Sequence, residues 1–165
     1  MSDALERSRT ENANKNIIAE GGQLQFVSFL VGDRAFGVDI ISVREITQWA
    51  QTTPLPNQPS YTRGVLNLRG TIIPVHDLRM RFGGSETKAD ESNVIVIVQI
   101  AAQTIGLLVD AVSDIITIQP DQVLPVPVGG RETEAKSLNG LVNTDSGMVA
   151  VLNLESLFAG LGEAA

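Results

Sequence analysis

Gly64-Val-Leu-Asn-Leu-Arg-Gly-Thr-Ile-Ile-Pro-Val-His-Asp-Leu78 is two short apolar runs hinged at Arg69-Gly70. Val65, Leu66 and Leu68 lie before the hinge, and Thr71, Ile72, Ile73 and Val75 after it. Apolar and β-branched residues bounded by turn formers read as strands. Gly64 and Gly70 bound the first run, and glycine tolerates a positive φ. The stretch therefore predicts a β element with an arginine held at its tip or edge. A second stretch, from Gly140 to Leu154, has the same layout without the arginine.

Outward from that pairing, the chain reads as a duplication. A shift of 69 positions lays Gly37 on Gly106, Val43 on Val112, Glu45 on Asp114 and Ile46 on Ile115. A shift of 76 lays Gly64 on Gly140, Asn67 on Asn143, Val75 on Val151, Leu78 on Leu154 and Phe82 on Phe158. The recurring glycines and apolar residues read as turns and core. Each half carries about five short strands and a helical turn, the size of a small SH3-like barrel. The fold class is thus all-β: two five-stranded SH3-like barrels on a shared hydrophobic core, with short helices and a groove between them. The halves are expected at about 23–82 and 94–158 within a domain spanning 23–160. A flexible polar tail at 1–22 precedes it, and a short tail at 161–165 follows. Within the first half, Ile40, Val43 and Ile46 predict one or two helical turns after an Asp39 cap. Thr47–Thr53 then reads as a strand. Sequence leaves open whether the halves exchange strands.

The 165 residues carry a net charge of −7, and the pI is near 4.6. Such a balance argues against nucleic acid, which needs clustered Lys and Arg. Hydrophobic content of 43% against 19% charged marks a globular chain. No cysteine is present, so disulfides and thiolate sites are excluded. Val94–Val98, as long as any apolar run in the chain, is far too short to span a membrane, so no direct insertion is expected. These features predict a cytoplasmic protein.

A catalytic constellation does not emerge. The single histidine, His76, stands beside Asp77, but neighbours on a strand point to opposite faces and form a poor relay. A small hydrolase built on His76 is the rival reading; an ordinary strand-end histidine is the plainer one. One histidine without cysteine gives no zinc site, and no phosphate loop is present. No metal or cofactor is expected. Glu45 reads equally as a solvated charge or as the partner of an arginine across an interface. For Arg69 two features favour an interface over a hairpin tip in water. It sits between apolar strands, and its repeat counterpart is the acidic Asp145. Arg63, Arg79 and Arg81 lie close to it in sequence, making a local basic patch that the duplication does not explain. The residues alone thus describe a binding module.

Phe36-Gly-Val-Asp-Ile-Ile-Ser-Val-Arg-Glu-Ile46, then Gly64 to Leu78, then Gly106-Leu-Leu-Val-Asp-Ala-Val-Ser-Asp-Ile115, resemble the CheW family of bacterial chemotaxis coupling proteins. Asn67-Leu68-Arg69-Gly70 followed by Pro74 and Asp77 is the most specific part. The resemblance implies a non-enzymatic adaptor joining the tips of methyl-accepting chemoreceptors to the regulatory domain of the histidine kinase CheA. It also implies assembly in rings with the kinase or other CheW copies, and recruitment to membrane-associated arrays. Receptor-binding positions of the family map onto Val43, Glu45, Gly64, Arg69, Val94 and Ile115. Kinase-binding positions map onto Ile40, Leu124 and Gly129; some relatives hold an arginine and an aromatic at the last two. A same-fold adaptor in a chemotaxis-like pathway, for pilus motility or surface sensing, is the alternative.

Overall fold

A computed structural model describes residues 22–127 and 137–159. Nearly all of the tails expected at 1–22 and 161–165, and Gly129, lie outside them. Among the described residues, eleven strands fall into two sheets. They are β1 (Leu24–Val31), β2 (Arg34–Asp39), β3 (Val43–Gln48), β4 (Thr62–Leu68), β5 (Thr71–Asp77) and β6 (Val94–Ile100). Then come β7 (Gln103–Val109), β8 (Ala111–Ile118), β9 (Val123–Leu124), β10 (Leu138–Thr144) and β11 (Gly147–Leu152). Short helices α1 (Leu78–Arg81) and α2 (Leu154–Leu157) follow β5 and β11. One sheet runs β8-β1-β2-β11-β10-β9, the other β3-β6-β7-β5-β4.

Chain reach shows that both sheets curl into barrels. Trp49 N–H still bonds the Asn93 carbonyl beside β6, at 3.0 Å, and Thr53 bridges Val65 on the outer side of β4. The chain between Trp49 and Thr53 reaches at most about 14 Å. A flat sheet would separate β3 from a strand outside β4 by five spacings, about 24 Å. In the other sheet, Ile118 to Val123 reaches about 18 Å, against the same flat separation of β8 from β9. Each sheet must bend until its edges meet.

The halves at 23–82 and 94–158 are not the barrels. Each barrel takes a hairpin from the other half: β1–β2 joins β8–β11, and β6–β7 joins β3–β5. Both exchanges use one register. Gly37 pairs in parallel with Val151, and Gly106 with Val75, positions related by the shifts of 69 and 76. A side chain at Gly37 would meet Val149 and Phe26, and one at Gly106 would meet Ile95 and Val75. The recurring glycine therefore lets the exchanged hairpin pack closely.

The helical turn expected over Ile40–Ile46 is also corrected. A 3₁₀ turn spans only Ile40–Ser42, with the Asp39 side chain accepting from Ile41 N–H, and β3 begins at Val43. The spacing of three comes from a β-bulge. Val43 opposes Val98 and Ile46 opposes Val96, with Arg44 as the extra residue, so Val43 and Ile46 share a face. The same bulge recurs at Ser113, where Val112 opposes Phe29 and Ile115 opposes Val27. The strand expected over Thr47–Thr53 ends at Gln48, with Thr53 as an isolated bridge.

Three apolar cores result. One fills each barrel: Leu24, Phe26, Ile118, Val142 and Val151 in the six-stranded one, and Ile73, Val75, Ile95, Ile97 and Leu108 in the other. The largest lies between the sheets and draws on β1, β2, β6 and β7. Two barrels sharing so much buried apolar surface act as one rigid body.

Candidate functional site

Arg69 and Gly70 are the centre of a two-residue hairpin between Leu68 and Thr71, with φ of 52° and 87°. Positive φ at both positions is the type I′ pattern, normally filled by Asn, Asp or Gly. Arginine is an unfavourable choice there, as is Ala101 in the β6–β7 turn at the same φ of 52°. Asn67 Oδ1 secures the turn by accepting Gly70 N–H at 2.9 Å. The exposed Arg69 guanidinium forms an ion pair with Glu45 on β3. The Glu45 carboxylate, by hydrogen bond and charge, holds Arg69 above its ordinary pKa. In the second half, Asp145 and Ser146 lack the positive φ, so the turn differs in backbone as well as charge.

The other three arginines each contact another part of the protein. Arg63 reaches the Thr87 carbonyl at 2.7 Å and Asp77 at 3.3 Å, and lies over Trp49. Arg79 pairs with Asp110 at 3.0 Å. Arg81 donates Nε to the carbonyl of Leu157, its own repeat counterpart, at 2.9 Å. The basic patch read from sequence thus resolves into ties between loops and helices, and Arg69 stands apart from it.

Val43 and Val94 are half-buried against the central core, as is Ile40. They lie on strands that flank one another, but Val94 opposes Gln48, at the far end of β3 from Val43. Gly64 is buried where the chain at Thr53 crosses β4. Ile115 is 53% exposed on β8, in the other sheet. Leu124 is exposed on β9. The structure brings Glu45 and Arg69 into contact and sets Ile40, Val43 and Val94 against the central core, whereas Gly64, Ile115 and Leu124 lie apart on β4, β8 and β9.

Ile46 is an exposed candidate that the sequence reading had placed in the core. It is 45% exposed, and its cross-strand partner Val96 lies in the central core, as does Val27 opposite Ile115. Directly opposed residues share a face. Ile46 and Ile115 therefore stand at the solvent rim between the barrels, one from each repeat. The shift of 69 had matched them, but as core.

His76 and Asp77 do not form a relay. His76 is 2% exposed, contacts Thr62 Oγ1 through Nδ1 at 3.0 Å, and stacks on Phe158. Asp77 accepts from Thr87 N–H and Oγ1, Arg63, and Arg79 N–H.

The family model for the CheW-like domain matches residues 25–161. The chain belongs to the CheW-like family. It is 38% identical to the probable chemotaxis protein CheW of Rhizobium etli over 138 residues, covering 84% of this chain and 89% of that protein. It is 37% identical to chemotaxis protein CheW of Rhizobium meliloti over 147 residues, covering 89% and 94%. The crystal structure of the scaffolding protein TtCheW from Thermoanaerobacter tengcongensis superposes with a TM-score of 0.74 at 34% identity, covering 84% of this chain and 89% of that one. No helix among the described residues of this CheW-like chain is long and apolar enough to cross a membrane.

Two buried groups set an expected pH dependence. Burial pushes Asp39 up from 3.8 to about 6, against the opposing hydrogen bond from Ile41. Folded Asp39 thus holds its proton more tightly than unfolded, and its contribution to stability grows as pH falls from about 6 toward 3.8. Burial pushes His76 down from 6.5 to about 4. The unfolded imidazole binds its proton first, so His76 lowers stability as pH falls through that window. The two effects oppose. Urea midpoints between pH 6.5 and 4.5 should therefore drop more steeply in Asp39→Asn than in the natural chain, and less steeply in His76→Gln. Identical slopes in all three would contradict this assignment.

Proposed function

We propose that this chain is a non-enzymatic cytoplasmic adaptor that couples the tips of methyl-accepting chemoreceptors to the histidine kinase CheA. The observation that carries the reading is the asymmetry of a duplicated scaffold. At one hairpin an arginine is held in a costly backbone conformation, paired with Glu45. The equivalent hairpin holds Asp145 in an ordinary one. Receptor tips are helical hairpins in the family the sequence resembles, and an apolar rim carrying one arginine suits a helix laid into a groove. Glu45, Arg69, Val43, Val94 and Ile115 serve the receptor contact, with Gly64 holding their scaffold. Ile40, with the neighbouring exposed Ile41, and Leu124 on β9 serve two kinase contacts; Gly129 continues the second. Signalling then needs no chemistry in this chain, only contacts that differ between signalling states by about 1–3 kcal/mol.

Ile46→Ser tests the receptor face at a residue the family mapping does not include. Binding to immobilised receptor tips should weaken about tenfold, since truncating a buried interface anchor has effects of that order. The urea midpoint should hold, because Ile46 is exposed. Unchanged binding would remove Ile46 from the surface.

A further inference from the structure

A cavity of about 260 Å³ opens between the β1–β2 turn and the loop after α1, and shares no residue with the proposed receptor or kinase contacts. Its apolar wall is Val31, Phe36 and Phe82. The two phenyl rings stack nearly parallel, 5° apart in plane and 5.0 Å between centroids. Over them lies the Arg34 guanidinium, 5.1 Å from the Phe36 centroid and 5.7 Å from that of Phe82. Arg34 is exposed and, among the described residues, has no carboxylate within ion-pair distance. Arg79 also lines the cavity. Its Nη2 is taken by Asp110, but its Nε is buried with no acceptor. A buried donor left unmade is costly, and a small shift of the Arg79 side chain would let a ligand oxygen satisfy it. Ser85 adds a hydroxyl, while the Asp33 carboxylate, also in the lining, opposes a ligand of higher negative charge more strongly than a singly charged one.

Repetition provides the contrast. A second cavity, of about 250 Å³, is lined by Gln103 and Ile105, the counterparts of Arg34 and Phe36 at a shift of 69. Arg79 has Glu155 as its counterpart. Neither arginine is therefore required by the duplicated scaffold.

We propose that the first cavity binds a carboxylate carried on a flat apolar group. The carboxylate bonds Arg34 and the Arg79 Nε–H, and the apolar group lies against Val31, Phe36 and Phe82. Guanidinium and carboxylate match in planar, charge-assisted geometry. Benzoate represents a free small acid, and N-acetyl-phenylalanine a polypeptide C-terminus.

Both probes, with sodium acetate and sodium chloride at equal ionic strength, are titrated into the full chain and followed by ¹H–¹⁵N correlation spectra. Expected are saturable shifts at the Gly32, Arg34, Gly84 and Ser85 amides and the Arg79 Nε–H from at least one probe, with a dissociation constant on the order of 1 mM. The tighter probe names the source of the carboxylate. Acetate, lacking the apolar group, should bind more weakly, and chloride should give no saturable shift. Arg34→Gln, which installs the residue of the second cavity, should weaken binding about tenfold with an unchanged circular dichroism spectrum. Saturable binding unaffected by Arg34→Gln, shifts that never saturate for either probe, or the same shifts with chloride would overturn the site.

Discussion

Replacing Arg69 with alanine is expected to weaken binding to chemoreceptor tips about 30-fold, the scale of an interface hot spot, with no loss of fold. Exposed ion pairs contribute little to stability, and the Glu45–Arg69 pair is exposed on its arginine side. The backbone sharpens the test. Arg69 occupies φ of 52° in a turn that favours glycine. Arg69→Gly removes the same side chain and relieves the same conformation, so it should bind as weakly as the alanine variant and be at least as stable. A residue kept for structure would behave in the opposite way. Exchanging the charges, Glu45→Arg with Arg69→Glu, rebuilds an ion pair of reversed polarity and should not restore binding. Restoration would mean that the arginine acts only by holding Glu45.

Gly64→Ala is expected to destabilise the protein by about 3 kcal/mol or more. Two independent penalties act there. Gly64 has φ of 134°, where side chains other than glycine are strained. Its added Cβ would also lie 2.4 Å from the Thr53 carbonyl oxygen and 3.0 Å from the Pro54 nitrogen, both backbone atoms that cannot rotate away. The repeat supplies a control. Gly140 shows no positive φ, so its alanine would carry only the steric penalty, from a Val123 methyl at 2.5 Å and the Leu124 carbonyl oxygen at 3.0 Å. Gly140→Ala should therefore cost about 1–2 kcal/mol. Urea unfolding at constant m reads both. Loss of receptor binding in Gly64→Ala should track the unfolded fraction. A stable Gly64→Ala protein that fails to bind would make Gly64 a contact in its own right.

Much of this architecture was legible in sequence because a duplication leaves paired residues at fixed offsets. Gly37 with Gly106 and Val75 with Val151 marked the positions that later proved to carry the two parallel pairings. The exchange of hairpins was not legible, because strand periodicity records which face is buried and not which strand lies alongside. The supposed helix over Ile40–Ile46 was misread because a bulge at Arg44 reproduces helical spacing on a strand. In the candidate site, Arg69 could be found as a departure from the repeat. Ile46 was hidden because it obeys the repeat, although it is exposed. The partners of Arg63, Arg79 and Arg81 sit 14, 31 and 76 positions away, so sequence alone made a patch of three separate ties.

The most direct measurement is co-sedimentation of CheA with assembled receptor cytoplasmic fragments, with and without this chain. The adaptor reading predicts that the kinase pellets efficiently only when the chain is present, and that Arg69→Ala removes the chain and the added kinase from the pellet together. Kinase recruitment unchanged by the chain, or a chain that stays in the supernatant with native receptors, would contradict it.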